Sequence, residues 1–159
     1  MAGMPGAGKS TLARQLAETH GAVHLETDAW LAAQGLDLLD APLRRRTERQ
    51  LWAHAQDLLR LGMSVVLDMG AWSRVERERY RRGARALEVE IELHCLDVDV
   101  EERVGRVASR AARASAGAPG ASAAEPTEAQ QRAWQAYWQP AGPEELAAYD
   151  SPLPLPRGT

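Results

Sequence analysis

Gly3-Met4-Pro5-Gly6-Ala7-Gly8-Lys9-Ser10 runs straight into a helical pattern, and that junction constrains the chain more than any other feature. The spacing Gly-x-x-x-x-Gly-Lys-Ser is the full Walker A pattern of a phosphate-binding loop. Its glycines let successive backbone N–H groups turn inward as a nest for the β- and γ-phosphates of a nucleotide. The helix that follows aims the positive end of its dipole at the same point. In such a loop Lys9 bridges phosphate oxygens and the Ser10 hydroxyl ligates Mg²⁺. The bland alternative is a Gly-rich helix entry that binds nothing. Composition speaks against it, because the chain has eighteen Arg and a single Lys, and that Lys is Lys9. A compact ammonium can follow a phosphoryl group inside a tight loop where the broad guanidinium fork cannot.

The length of 159 residues suits one domain with a real core and is short for two. A net charge of −3 and a pI near 5.8 argue against a general nucleic-acid binder. Cys95 is the sole cysteine, which excludes an internal disulfide and a Cys-based metal cluster and agrees with a reducing, cytoplasmic setting. Neither a membrane-spanning apolar stretch nor a secretory signal is apparent. The sequence leaves the oligomeric state open.

Periodicity divides the chain into alternating strands and helices. Ser10 to His20 reads as a helix stopped by Gly21. Residues 22–25 read as a short strand that delivers Asp28 just past its C-terminal end. A helix is expected from about Pro42 to Leu61, and an apolar strand over 64–67 ends at Asp68. Ser73 and Glu76 have the spacing of a capping box for a helix reaching about Leu87. Val89, Ile91, Leu93 and Cys95 alternate with Glu88, Glu90, Glu92 and His94, the period of a strand with one wet face. A helix from Asp99 to about Arg113 leads into a Gly/Ala/Ser/Pro segment, and Thr127 caps a last helix bearing Trp134, Tyr137 and Trp138. The alternation implies an α/β fold with a parallel sheet. The expected organisation is a single domain over 1–150, a mobile lid around 106–126 and a disordered tail over 151–159. Only Met1 and Ala2 precede the loop, so most of the strand that ordinarily leads into it is missing from this chain, and the expectation is that translation starts upstream or that this is a truncated form.

Gly-Met-Pro-Gly-Ala-Gly-Lys-Ser-Thr-Leu-Ala, followed by an acidic residue after the second strand, resembles the small P-loop kinases. Within them it is most similar to the AAA-type predicted kinases, relatives of zeta toxin, chloramphenicol phosphotransferase and polynucleotide kinase. The resemblance runs from Gly3 to about Tyr149 and implies a P-loop NTPase three-layer fold, ATP as cofactor with Mg²⁺, and transfer of the ATP γ-phosphate to a hydroxyl of a small molecule. It assigns the nucleotide phosphates to Gly3, Pro5, Gly6, Ala7, Gly8, Lys9, Ser10 and Thr11. It also makes Asp28 the group that accepts or orients the acceptor proton, and Ser10 with Asp68 the metal side. Arg106 and Arg110 fall on the family's Arg-x-x-x-Arg spacing at the helix-to-lid junction, where arginines stabilise charge in the transition state. Arg110, with Lys9 and Asp28, is therefore a catalytic candidate, and Arg113 stands one turn further along the same face. Ala111 departs from the Asn that often follows the second arginine. No Asp-Glu pair follows the third strand, which disfavours a mechanical ATPase.

Bland readings accompany several of these. Asp28 also fits a helix cap and Asp68 an ordinary strand-end turn. The run Arg74 to Arg85 and the triplet Arg44-Arg45-Arg46 read as solvated faces, and Trp134 and Trp138 as core anchors. Trp30 could equally wall an acceptor pocket or pack. Two other functions remain open at this level: a polynucleotide 5′-hydroxyl kinase, and a nucleotide-binding switch without phosphotransfer.

Overall fold

A computed structural model of the protein describes residues 1–116 and 125–152. Its strands are β1 (Ala2–Gly3), β2 (Val23–Glu26), β3 (Val65–Asp68) and β4 (Cys95–Leu96). Its helices are α1 (Lys9–His20), α2 (Thr27–Ala33), α3 (Ala41–Arg60), α4 (Arg74–Arg85), α5 (Val100–Ser115), α6 (Glu128–Trp134) and α7 (Pro143–Leu146), with a 3₁₀ turn at Gln135–Tyr137. The strands pair in parallel, β2 with β3 and β1 with β4. Main-chain bonds join the two pairs. The Met1 amino group donates to the Leu67 carbonyl at 2.8 Å, and the Gly3 N–H donates to the Gly70 carbonyl at 2.9 Å. The spatial order is therefore β2-β3-β1-β4, with helices flanking the strands, the mixed α/β arrangement that the alternation of elements implies.

Helix boundaries follow local chemistry. Ser73 and Glu76 form the capping box that starts α4, and Thr127 with Gln130 forms another at α6. The Asp40 side chain caps α3 through the Leu43 N–H, and Asp99 caps α5 through Glu101. Helix α2 was not expected from the sequence. Its seven residues lack a side-chain N-cap, and Leu31, fully buried, ties it to the core.

The edge strand expected over 89–95 is realised only at Cys95–Leu96. Ile91 instead exchanges bonds with Asp150, donating its N–H to the carboxylate and accepting the Asp150 N–H on its carbonyl. Between β3 and this unpaired stretch lies a cavity of ≈480 Å³, lined by Leu16, Val65, Leu67, Tyr80 and Leu93 among others. With no strand on that side, alternating polarity alone could not create a ladder.

Arg77 corrects the solvated-face reading of the α4 arginines. It is 2% exposed and forms a two-pronged ion pair with Glu145, at 2.7 and 2.8 Å. Arg85 pairs with Asp150, whereas Arg81 and Arg82 share Glu78 at the surface, as expected. Trp138 is a core residue, packed with Ala2 and Met4, and its indole N–H donates to Asp97. Trp134 packs on Trp72. Of the expected lid, residues 117–124 lie outside the described residues, as do 153–159 of the expected tail. Among the described residues no helix is long and apolar enough to cross a membrane.

Candidate phosphate-binding site

The phosphate loop connects β1 to α1 at the carboxyl ends of the parallel strands, the edge where open α/β sheets bind ligands. Gly6 and Gly8 both have positive φ, +82° and +93°. A side chain at Gly6 would meet the Arg103 carbonyl at 2.7 Å, and one at Gly3 would meet the Leu96 carbonyl at 2.9 Å. Gly8 is the N-cap of α1 and has no side chain to cap it, and the first turn carries no acidic residue. The helix thus begins with donors that no protein side chain claims, beside a left-handed turn, which is what an anion nest requires.

Lys9 folds back across this loop and donates to the Met4 carbonyl at 3.1 Å. Burial pushes its ammonium below the ordinary lysine range, while Asp68 and Asp28 push it back up. Both sequence-assigned carboxylates therefore lie close enough to act on Lys9. Asp68, paired in register with Glu26 at the end of β3, is 5% exposed, and its Oδ2 has no hydrogen-bond partner. Burial alone would raise its pKa, but His24, Lys9 and Ser10 around it favour the charged form and hold it below the usual carboxylate range. A buried carboxylate favoured in its charged form, with Oδ2 left without a partner among the described residues and the Ser10 hydroxyl nearby, is a donor set suited to Mg²⁺, which prefers oxygen ligands.

Asp28 lies in the first turn of α2, not at its cap, which is Glu26. Its carboxylate accepts a hydrogen bond from Arg44, which also donates to the Leu38 carbonyl. Arg44 was grouped in the sequence with a solvated triplet, and its tie to Asp28 is the correction. No sequence signal connected them, because the contact spans the turn between α2 and α3. Trp30 is exposed and stacks obliquely near His54.

Helix α5 brings its arginines to the loop unequally. Arg106 donates to the Gly6 carbonyl at 3.3 Å and pairs with Glu102. Arg110 makes a two-pronged pair with Glu125, at 3.0 and 2.9 Å. Arg113 turns back to donate to the Ser109 carbonyl. Arg103, which sequence reasoning passed over, is 1% exposed and donates to the carbonyls of Val98 and Pro5 and to the Gln135 side chain. It grips the loop from below through neutral acceptors. The large cavity beside β3 is not this site, since Lys9, Ser10, Asp28 and Asp68 do not line it.

The family model described as "AAA domain" matches residues 1–141. No curated protein matches the chain. Among solved structures, a gluconokinase from Sinorhizobium meliloti 1021 is similar at a TM-score of 0.51 and 18% identity, over 87% of this chain and 72% of that one. At that identity the likeness speaks to fold alone, a P-loop kinase fold.

Proposed function

This chain belongs to the AAA domain family, and from that premise we propose that it is an ATP-dependent phosphotransferase that moves the γ-phosphate to a hydroxyl of a small molecule. The observation that carries the proposal is the phosphate loop itself: Gly6 and Gly8 at positive φ, Lys9 folded across the loop onto the Met4 carbonyl, and an uncapped α1, at the sheet edge where β3 ends at Asp68. Positioning and electrostatics dominate phosphoryl transfer, and these residues divide that work. The loop N–H groups and Lys9 hold the phosphates. Ser10 and Asp68 would hold Mg²⁺, which supplies charge neutralisation at the transferring group. Asp28 orients the acceptor hydroxyl and takes its proton, after the acceptor displaces Arg44 from the carboxylate. Arg106, already on the Gly6 carbonyl, and Arg110, once released from Glu125, stabilise charge on the departing ADP.

The test is ADP release from Mg·ATP across sugars, nucleosides, antibiotics, amino-sugar nucleotides and 5′-hydroxyl oligonucleotides, for wild type and Asp28→Asn. Turnover that depends on an acceptor and falls at least a hundredfold in the variant is expected, on the scale of general-base contributions. Stimulation by oligonucleotides alone would redirect the proposal to a polynucleotide kinase. Tight ATP binding with no acceptor-dependent turnover would overturn phosphotransfer in favour of a switch.

A further inference from the structure

His24 and Glu26 point to the same face of β2, because side chains two residues apart on a strand share a face. The ladder sets Glu26 directly opposite Asp68. One donor atom from each of His24, Glu26 and Asp68 lies within 4.8 Å of the other two. The His24 Nε2 stands 3.9 Å from Asp68 Oδ2, too far for a hydrogen bond. Both atoms are buried, and neither has a hydrogen-bond partner among the described residues. A buried carboxylate oxygen and a buried imidazole nitrogen facing each other unsatisfied are costly unless something sits between them.

We propose that His24, Glu26 and Asp68 form a mixed nitrogen–oxygen site for a divalent first-row transition ion such as Mn²⁺, Co²⁺ or Zn²⁺. The proposal rests on the reading of Asp68 as a metal-side carboxylate and goes beyond it. Ser10 and phosphate oxygens make an all-oxygen environment suited to Mg²⁺, whereas an imidazole ligand selects transition ions. Tetrahedral donors at bonds of about 2.1 Å stand roughly 3.4 Å apart, so donor pairs now within 4.8 Å close by up to about 1.4 Å through rotamer changes. Glu26 and Asp68 supply two negative charges against Lys9 and the ion. The loaded site is therefore net positive and complements an incoming triphosphate. The ion binds without nucleotide, and nucleotide then tightens it.

The test is titration of the nucleotide-free protein with Co²⁺, followed by visible absorption and by proton NMR. The expected result is saturable binding with a hyperfine-shifted, exchangeable imidazole N–H. His24→Ala should abolish that resonance and weaken Co²⁺ at least tenfold, with the metal-free melting temperature reporting whether the variant is folded. His24→Gln keeps the side-chain bulk and serves the same purpose should the alanine variant not fold. Ser10→Ala should keep the Co²⁺ signal while losing Mg·ATP affinity, which separates this site from the nucleotide metal. No Co²⁺ binding by wild type, or a resonance and affinity unchanged by both His24 variants, overturns the proposal. A wild type that shows the Co²⁺ signal but binds no Mg·ATP would sink the kinase reading and leave the metal site standing.

Discussion

Gly6 has no room to become anything else. Its φ of +82° lies in the left-handed region, and an added Cβ would press on the Arg103 carbonyl. The conformation alone costs an L-residue about 1–2 kcal/mol, and here the colliding atom is backbone, which cannot swing away. Gly6→Ala should lower the melting temperature by several degrees and weaken ATP at least tenfold, since the loop can relieve the clash only by opening the nest. Unchanged ATP affinity in calorimetry would show that the loop tolerates the shift. Glu48, on α3 one turn beyond Arg44, carries a different constraint. Burial pushes its carboxyl up to about 7, against the pull of Arg44. In the unfolded chain it titrates near 4.5. Between those values the folded protein holds a proton that the unfolded chain has released, so this group's contribution to stability is lost as pH rises through that window. Glu48→Gln should therefore gain melting temperature relative to wild type between about pH 4.5 and 7, with little further gain above. Parallel melting curves across that range would refute the assignment.

At the scale of elements, α4 and α7 are held together by one buried ion pair. Truncating a single partner of such a pair leaves an uncompensated charge, which costs about 3–5 kcal/mol, whereas replacing both partners with apolar groups is often close to neutral. Arg77→Met should cost that much in urea unfolding, and the double variant with Glu145→Leu should recover most of it. Additive losses would mean the pair is not coupled. This pair also marks where sequence reading stops. Helix α4 was legible because Ser73 and Glu76 state a cap and the charges repeat at helical spacing. Which of its arginines turns inward was not, since the partner lies 68 positions along the chain. The same division runs through α5: the spacing of Arg106 and Arg110 is visible locally, but the role of Arg103 depends on a carbonyl 98 positions away. The candidate site follows that pattern. Lys9, Ser10, Asp28 and Asp68 were legible because each stands at a strand end or in a motif. His24, Glu26 and Arg44 were not, because a strand's face acquires meaning only when a neighbouring strand fixes its register.

The molecule as a whole is organised around the line β2-β3-β1-β4. Strands β2 and β3 were readable from short apolar runs, but the loss of pairing over 89–94 was not, since alternation announces a face and not a neighbour. Because Gly3 pairs with β4 and bonds the Gly70 carbonyl just past β3, while the loop contacts Arg103 and Arg106, nucleotide should stabilise the entire fold and not one corner of it. Mg·ATP at a hundred times its Kd should contribute about 2.7 kcal/mol, a rise of several degrees in melting temperature for a domain of this size. A single cooperative transition that moves as one unit is expected in calorimetry. A split transition, with only part of the heat shifting, would contradict that coupling.

The loop's dependence on Leu96, Arg103 and Arg106 sets an order of events during synthesis. Residues 3–10 leave the ribosome ahead of the partners that shape them, which follow about a hundred residues later. At translation rates of roughly 5–20 residues per second, that is an interval of roughly 5–20 s in which the motif exists as sequence but cannot fold into a nest. Until α5 emerges, a nascent chain lacks the carbonyl and guanidinium contacts that shape the loop, and until residues 95–96 emerge β1 lacks β4 beside it.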